Sequence, residues 1–167
     1  MNLLIIEDSP TYYYALCSTL PGSWKATNTI TSKDALACLG REVFDVVLTD
    51  LNLPDSVGLQ TAETVLNATS VPVVVMTGSS DTEIEQEAIR MGADAFFKND
   101  LNEKSITHIC LNAIARSGQK KEALRLLLET QKASRREGIK TALEKMNTAI
   151  TQLSAMADGS HDDDASD

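Results

Sequence analysis

The sequence predicts an open, doubly wound α/β domain of the (βα)5 type, followed by a helical extension. Short, continuously apolar runs alternate with helix-sized segments along residues 1–117. Those runs are rich in Val, Ile and Leu and too short for helices, which is what a parallel sheet buried on both faces requires. Residues 119–157 contain no strand signal, only apolar side chains at helical spacing.

The first strand is read at Leu3-Leu4-Ile5-Ile6. Ser9-Pro10 then supplies an N-cap and a proline at the first helical position, opening a helix over residues 11–20 that Pro21-Gly22 stops. A weaker strand, Lys25 to Ile30, alternates through Trp24, Ala26, Asn28 and Ile30, which suggests an edge position. Ser32 is read as the cap of a helix over residues 33–39, closed by Gly40. The third strand is Val43 to Leu48, and its helix runs from Gly58 to Asn67. The fourth strand is Val71 to Met76. Ser79-Ser80-Asp81 opens the helix after it, with Asp81, Glu83, Glu85 and Glu87 favoured near its positive end. Gly92 ends that helix, Ala93 to Phe97 forms the fifth strand, and residues 103–117 form an amphipathic helix with Ile106, Ile109, Cys110, Ala113 and Ile114 on one face. Right-handed crossovers then place any site at the C-terminal ends of the strands.

Beyond residue 118 an apolar stripe begins at Leu124, Leu127 and Leu128 and resumes with Ile139, Ala142, Leu143, Met146, Ala149, Ile150, Leu153 and Met156. From Ile139 it repeats for about two and a half heptads, short of a confident coiled coil. The polar stretch Gln131 to Gly138 leaves two helices or one bent helix open.

Charge follows the same division. The chain has a net charge of −9 and 43% hydrophobic residues, enough for a core. Residues 1–117 carry 7 basic and 15 acidic side chains, residues 118–157 carry 8 and 4, and residues 158–167 carry 5 acids and no base. An acidic body argues against a nucleic-acid-binding core. Cys17, Cys38 and Cys110 lack C-x-x-C spacing, so they read as small buried thiols and not as a disulfide or zinc framework. The N-terminus lacks a signal-peptide pattern and no apolar run is long enough to span a membrane, so the expected compartment is a reducing cytoplasm.

Polar residues of one kind of chemistry collect at four strand ends. Glu7 and Asp8 follow the first, Asp50 follows the third, Thr77 the fourth and Lys98 the fifth. Three converging carboxylates repel one another and call for a hard cation such as Mg²⁺. A carboxylate beside such a cation, a hydroxyl and an ammonium group is suited to accepting a phosphoryl group.

These blocks resemble the receiver domain of two-component response regulators. The resemblance is carried by residues 4–10 (Leu4-Ile5-Ile6-Glu7-Asp8-Ser9-Pro10), residues 45–55 through Asp50-Leu51-Asn52-Leu53-Pro54-Asp55, Gly58-Leu59, residues 71–78 ending Met76-Thr77-Gly78, and Gly92 to Lys98. It covers residues 1–117 and implies a flavodoxin-like fold. It also implies phosphorylation of Asp50 by a histidine kinase or phosphotransfer protein. Glu7, Asp8, Asp50 and the backbone carbonyl of Asn52 would hold Mg²⁺, while Thr77 and Lys98 would bind phosphoryl oxygens. Phe96, or alternatively Phe97, would be the switch aromatic.

Two departures from the pattern stand out. The stretch from Gly92 through Lys98 is one residue shorter than receivers usually have, which would turn Lys98 away unless a loop absorbs the change. Asn99 stands where many receivers carry proline. Tyr12, Tyr13 and Tyr14 read as packing residues near the site mouth, and His108 as a solvated or packed histidine; His161 has no ligand set.

The expected function is a phosphoacceptor switch and not a turnover enzyme. Residues 118–157 would act as a helical arm for dimerisation or for docking a protein partner. A nucleic-acid-binding output segment is the alternative, disfavoured because the arm has no aromatic residue to stack on bases. A linker truncated before an output domain is a third reading. A haloacid-dehalogenase-type phosphohydrolase is a further alternative, but such enzymes place an acid where this chain has Asn52. Residues 158–167 read as a disordered acidic tail.

Overall fold

The computed structural model of the chain describes residues 1–77, 82–98 and 101–158. The element order is β1 (Asn2–Ile6), α1 (Pro10–Ser18), β2 (Lys25–Thr29), α2 (Ser32–Leu39), β3 (Val46–Asp50), β4 (Asn52–Leu53), β5 (Ser56–Val57), α3 (Leu59–Ala68), β6 (Val73–Thr77), α4 (Thr82–Arg90), β7 (Ala95–Lys98) and α5 (Glu103–Asp158). Five strands form one parallel sheet in the order β2-β1-β3-β6-β7. This is the doubly wound α/β arrangement expected from the alternating pattern, and β2 lies at an edge.

Alternation of side chains distributes each strand between two layers. Leu3, Ile5, Val46, Leu48, Val74 and Met76 pack against Leu16 of α1 and Ile106, Cys110 and Ala113 of α5. On the opposite face Leu4, Ile6, Val47 and Val73 pack with Ala35 of α2 and Val65 of α3. Val75 joins Ala62 of α3 and Ala88 of α4 there.

Several local readings change. The third strand starts at Val46, because Val43 is exposed while Asp45 ties the chain back to the start of β1: its carboxylate accepts the Asn2 N–H at 2.7 Å. The cap of α2 is Thr31, whose hydroxyl accepts the Asp34 N–H at 3.0 Å, and Ser32 is the first helical residue. Of the three thiols only Cys110 is buried; Cys17 and Cys38 are half-buried. The antiparallel hairpin β4–β5 has no counterpart in the sequence reading, being too short to show a period. Ser79, Ser80 and Asp81, read as the opening of the fourth helix, lie outside the described residues, as do Asn99 and the tail from residue 159.

The choice between two helices and one resolves to one. Gln131 to Gly138 does not interrupt α5, since Lys132, Arg135, Arg136 and Glu137 are good helix formers and only Gly138 costs about 1 kcal/mol. The chain divides into two compact units, Met1–Lys120 and Lys121–Asp167. Within the first, Ser117 is the last buried residue of α5; residues 118–152 are all exposed. No helix among the described residues is long and apolar enough to cross a membrane.

Leu48 is fully enclosed between layers, so Leu48→Ala should destabilise the fold by about 2–5 kcal/mol in urea unfolding. Leu127→Ala, on the exposed stripe, should change it by no more than about 0.5 kcal/mol.

Candidate functional site

The strand order reverses between β1 and β3, and in an open parallel sheet the crevice beyond such a switch point is where ligands bind. β1 ends at Ile6, which pairs with Thr49, so the next residues out are Glu7 on one strand and Asp50 on the other. Carboxylate oxygens of Glu7, Asp8 and Asp50 all lie within 4.8 Å of one another. This is the one group of metal-ligating side chains found among the described residues.

Each carboxylate is held differently. Glu7 is buried; its backbone N–H continues the ladder to Thr29 O at 2.9 Å, and its Oε1 accepts the Ser9 N–H at 3.0 Å. That second bond links the site to the α1 cap, because Ser9 Oγ in turn accepts the Tyr12 N–H. Asp50 is half-buried; its Oδ1 accepts the Leu51 N–H at 2.7 Å and the carboxylate is also bonded by the Asn52 N–H. Asp8 is exposed.

Burial pushes the Glu7 carboxyl above its ordinary range; the Ser9 N–H opposes the shift and the charges of Asp50 and Asp8 add to it. Asp50 is likewise raised, first by burial, against the pull of the Leu51 and Asn52 amides, with the charge of Asp8 adding. Three converging carboxylates, with Glu7 and Asp50 raised and no thiolate or imidazole among them, form an all-oxygen donor set that fits a hard divalent cation.

Thr77 ends β6 and Lys98 ends β7, and the two are partners in the strand register. The shorter fifth strand therefore still brings Lys98 level with Thr77, one residue beyond the Asp50–Met76 pair. Phe96 pairs with Val75 and Phe97 with Met76. The side chains of Thr77, Phe96, Phe97 and Lys98 lie outside the described part. Asn52 begins β4, directly after the strand that carries Asp50.

Among the tyrosines, Tyr12 and Tyr13 pack against the core while Tyr14 is exposed. Tyr12 also feels the site: burial first, then the charges of Glu7 and Asp50, push its hydroxyl up to about 12. Three consecutive tyrosines are indistinguishable in sequence, and only the helix phase separates them. Two further residues received no role from the sequence. Thr61, buried on α3, donates to the Leu51 carbonyl at 3.0 Å, and Asp55 reaches α2. Neither stands at a sheet-strand end, so strand-end reasoning passes over both.

Residues 3–110 match the response regulator receiver domain family. The chain belongs to that family. The two-component response regulator ORR21 of Oryza sativa is 32% identical over 96 residues, which is 56% of this chain and 14% of the relative. The transcriptional regulatory protein ZraR of Salmonella typhimurium is 29% identical over 96 residues, 56% of this chain and 22% of that protein. The receiver thus matches only a small part of each relative's length. A CheY-like response regulator receiver from Methanospirillum hungatei has the same fold, with a TM-score of 0.63 at 20% identity over 71% of this chain and 97% of its own. The flavodoxin-like expectation holds, and the protein is a receiver of two-component signalling.

Since the Asp50 carboxyl is raised, its contribution to stability is present at low pH and lost as pH rises through the raised value. Without divalent cation, Asp50→Asn should therefore melt above the parent protein at pH 7, each kcal/mol of relief raising the melting temperature by about 2–4 °C in a chain of this size. The gap should close as pH falls through the carboxylate range. Equal melting temperatures at pH 7 would contradict the burial and the Asp8 repulsion that raise the Asp50 carboxyl.

Proposed function

We propose that Asp50 is the phosphoacceptor, taking its phosphoryl group from a histidine kinase or phosphotransfer protein. The observation that carries this reading is the convergence of Glu7, Asp8 and Asp50 within 4.8 Å at the switch point of the sheet. A carboxylate oxygen of Asp50 attacks phosphorus as the bond from phosphorus to the donor's imidazole nitrogen breaks, giving an acyl phosphate. Glu7, Asp8, Asp50 and the main-chain carbonyl of Asn52 would hold Mg²⁺, which when bound supplies positive charge against the developing phosphoryl oxygens. Thr77 and Lys98, side by side in register, would contribute a hydroxyl and an ammonium to those oxygens.

Acetyl phosphate with Mg²⁺ should label the parent protein, and Asp50→Ala and Asp50→Asn should abolish the label. Labelling that persists in either variant refutes the assignment.

The same reading extends to output. Phosphorylation biases a pre-existing equilibrium in which Thr77 and the aromatic at Phe96, or Phe97, move together with the face from α4 to α5. Residues 118–157 then serve as the protein-interaction arm, supported by exposed Leu124, Leu127, Leu128, Ile139, Leu143, Met146 and Ile150. Analytical ultracentrifugation with and without a beryllofluoride phosphoryl mimic should show a change in association state if the arm pairs with a second copy. Salt-dependent binding of RNA or DNA by residues 118–157 would favour the nucleic-acid output instead.

A further inference from the structure

The segment that follows Asp50 is fastened at two points that phosphoryl transfer does not itself use. Asp55 occupies the turn of the β4–β5 hairpin and its carboxylate crosses to α2. Oδ1 accepts the Ser32 N–H at 2.9 Å, while Oδ2 accepts the Ser32 hydroxyl at 2.8 Å and the Lys33 N–H at 3.0 Å. These amides belong to the first turn of α2, where no carbonyl of the helix itself can satisfy them. Thr31 already supplies that helix with its own cap, to the Asp34 N–H. Helix α2 is thus capped twice, once from its own chain end and once from the hairpin. Although desolvation opposes it, the hydrogen bonds from Lys33 and Ser32 hold the Asp55 carboxyl below its ordinary range. The second fastening is Thr61, whose hydroxyl donates to the Leu51 carbonyl and lies 2.8 Å from the Ser56 hydroxyl.

The hairpin needs these ties. It has only two paired positions, Asn52 with Val57 and Leu53 with Ser56, too few to be stable alone. Glu7 and Asp50 are fixed by the ladder of the main sheet, but Asn52 is carried by this hairpin. Its main chain also matters twice, because the Asn52 N–H bonds the Asp50 carboxylate while the Asn52 carbonyl belongs to the proposed donor set.

We infer that Asp55 is a positioning residue for the cation site, clamping the hairpin onto α2 and so fixing the main chain of Asn52 beside Asp50. This rests on the cation-site reading given above. A residue that touches no metal but orients groups that do typically governs affinity by roughly 10–100-fold.

The test is Mg²⁺ affinity by isothermal titration calorimetry on the full chain, with thermal melts alongside. The parent protein is compared with Asp55→Ala, Asp55→Asn and Thr31→Ala. Thr31→Ala uncaps the same helix from the other side and controls for a general loosening of α2. The expected result is that both Asp55→Ala and Thr31→Ala lower the melting temperature, but only Asp55→Ala weakens Mg²⁺ binding, by about tenfold. Asp55→Asn keeps an acceptor for the Ser32 N–H and should fall between parent and Asp55→Ala; it carries the test if Asp55→Ala is unfolded at the assay temperature. Binding by the Asp55 variants within about twofold of the parent, or equal weakening in Thr31→Ala, overturns the inference. Absence of Mg²⁺ binding by the parent itself overturns the cation site, and the positioning role with it.

Discussion

A parallel sheet covered on both faces has no room for charge except where its strands stop. In this protein β1, β3 and β6 are enclosed almost completely: Leu3, Leu4, Ile5, Ile6, Val46, Val47, Val73, Val74 and Val75 have no exposed surface. An unpaired carboxylate within those layers would carry a large desolvation cost. The polar residues of the strands are therefore displaced to their ends, and parallel orientation delivers those ends to one edge. The acidic cluster follows from the burial of the sheet.

Bringing Glu7, Asp8 and Asp50 together has an electrostatic cost that the fold meets with main-chain donors. The amides of Ser9, Leu51 and Asn52 all point at carboxylates of the cluster, and burial and mutual repulsion still keep Glu7 and Asp50 above their ordinary range. A site in that condition favours whatever brings positive charge to it, which is the physical argument behind the phosphoacceptor role proposed above. The amides come from the start of α1 and from the chain just after β3, so the cluster is coupled to both. The Asp55 bridge extends that coupling to α2, giving the short hairpin a rigid neighbour that its own pairing cannot supply.

The helical extension obeys a different logic. As far as Ser117, α5 is a core helix with Ile106, Cys110 and Ala113 against the sheet. From residue 118 to residue 152 the same helix is wholly exposed, yet it keeps leucines, isoleucine and methionine at helical spacing. Strong helix formers carry it across the polar stretch that interrupts the apolar stripe. Its basic composition contrasts with the acidic body, so the two units present different surfaces to other molecules.

The alternation of apolar runs with amphipathic segments determined the α/β class and the edge position of β2, because burial on two faces leaves a different pattern from burial on one. The acids and the hydroxyl and ammonium residues at strand ends were equally legible, since a residue directly after an apolar run must lie at the sheet's edge. What depended on distant partners was not. Which of Thr31 and Ser32 caps α2 was decided by Asp55, more than twenty residues away, occupying the Ser32 hydroxyl and N–H. The start of β3 was decided by Asp45 bonding Asn2, and the role of Tyr12 by helix phase against the core. Local periodicity records which side of an element is buried; only the assembled tertiary structure supplies the partner that a polar side chain meets across the chain.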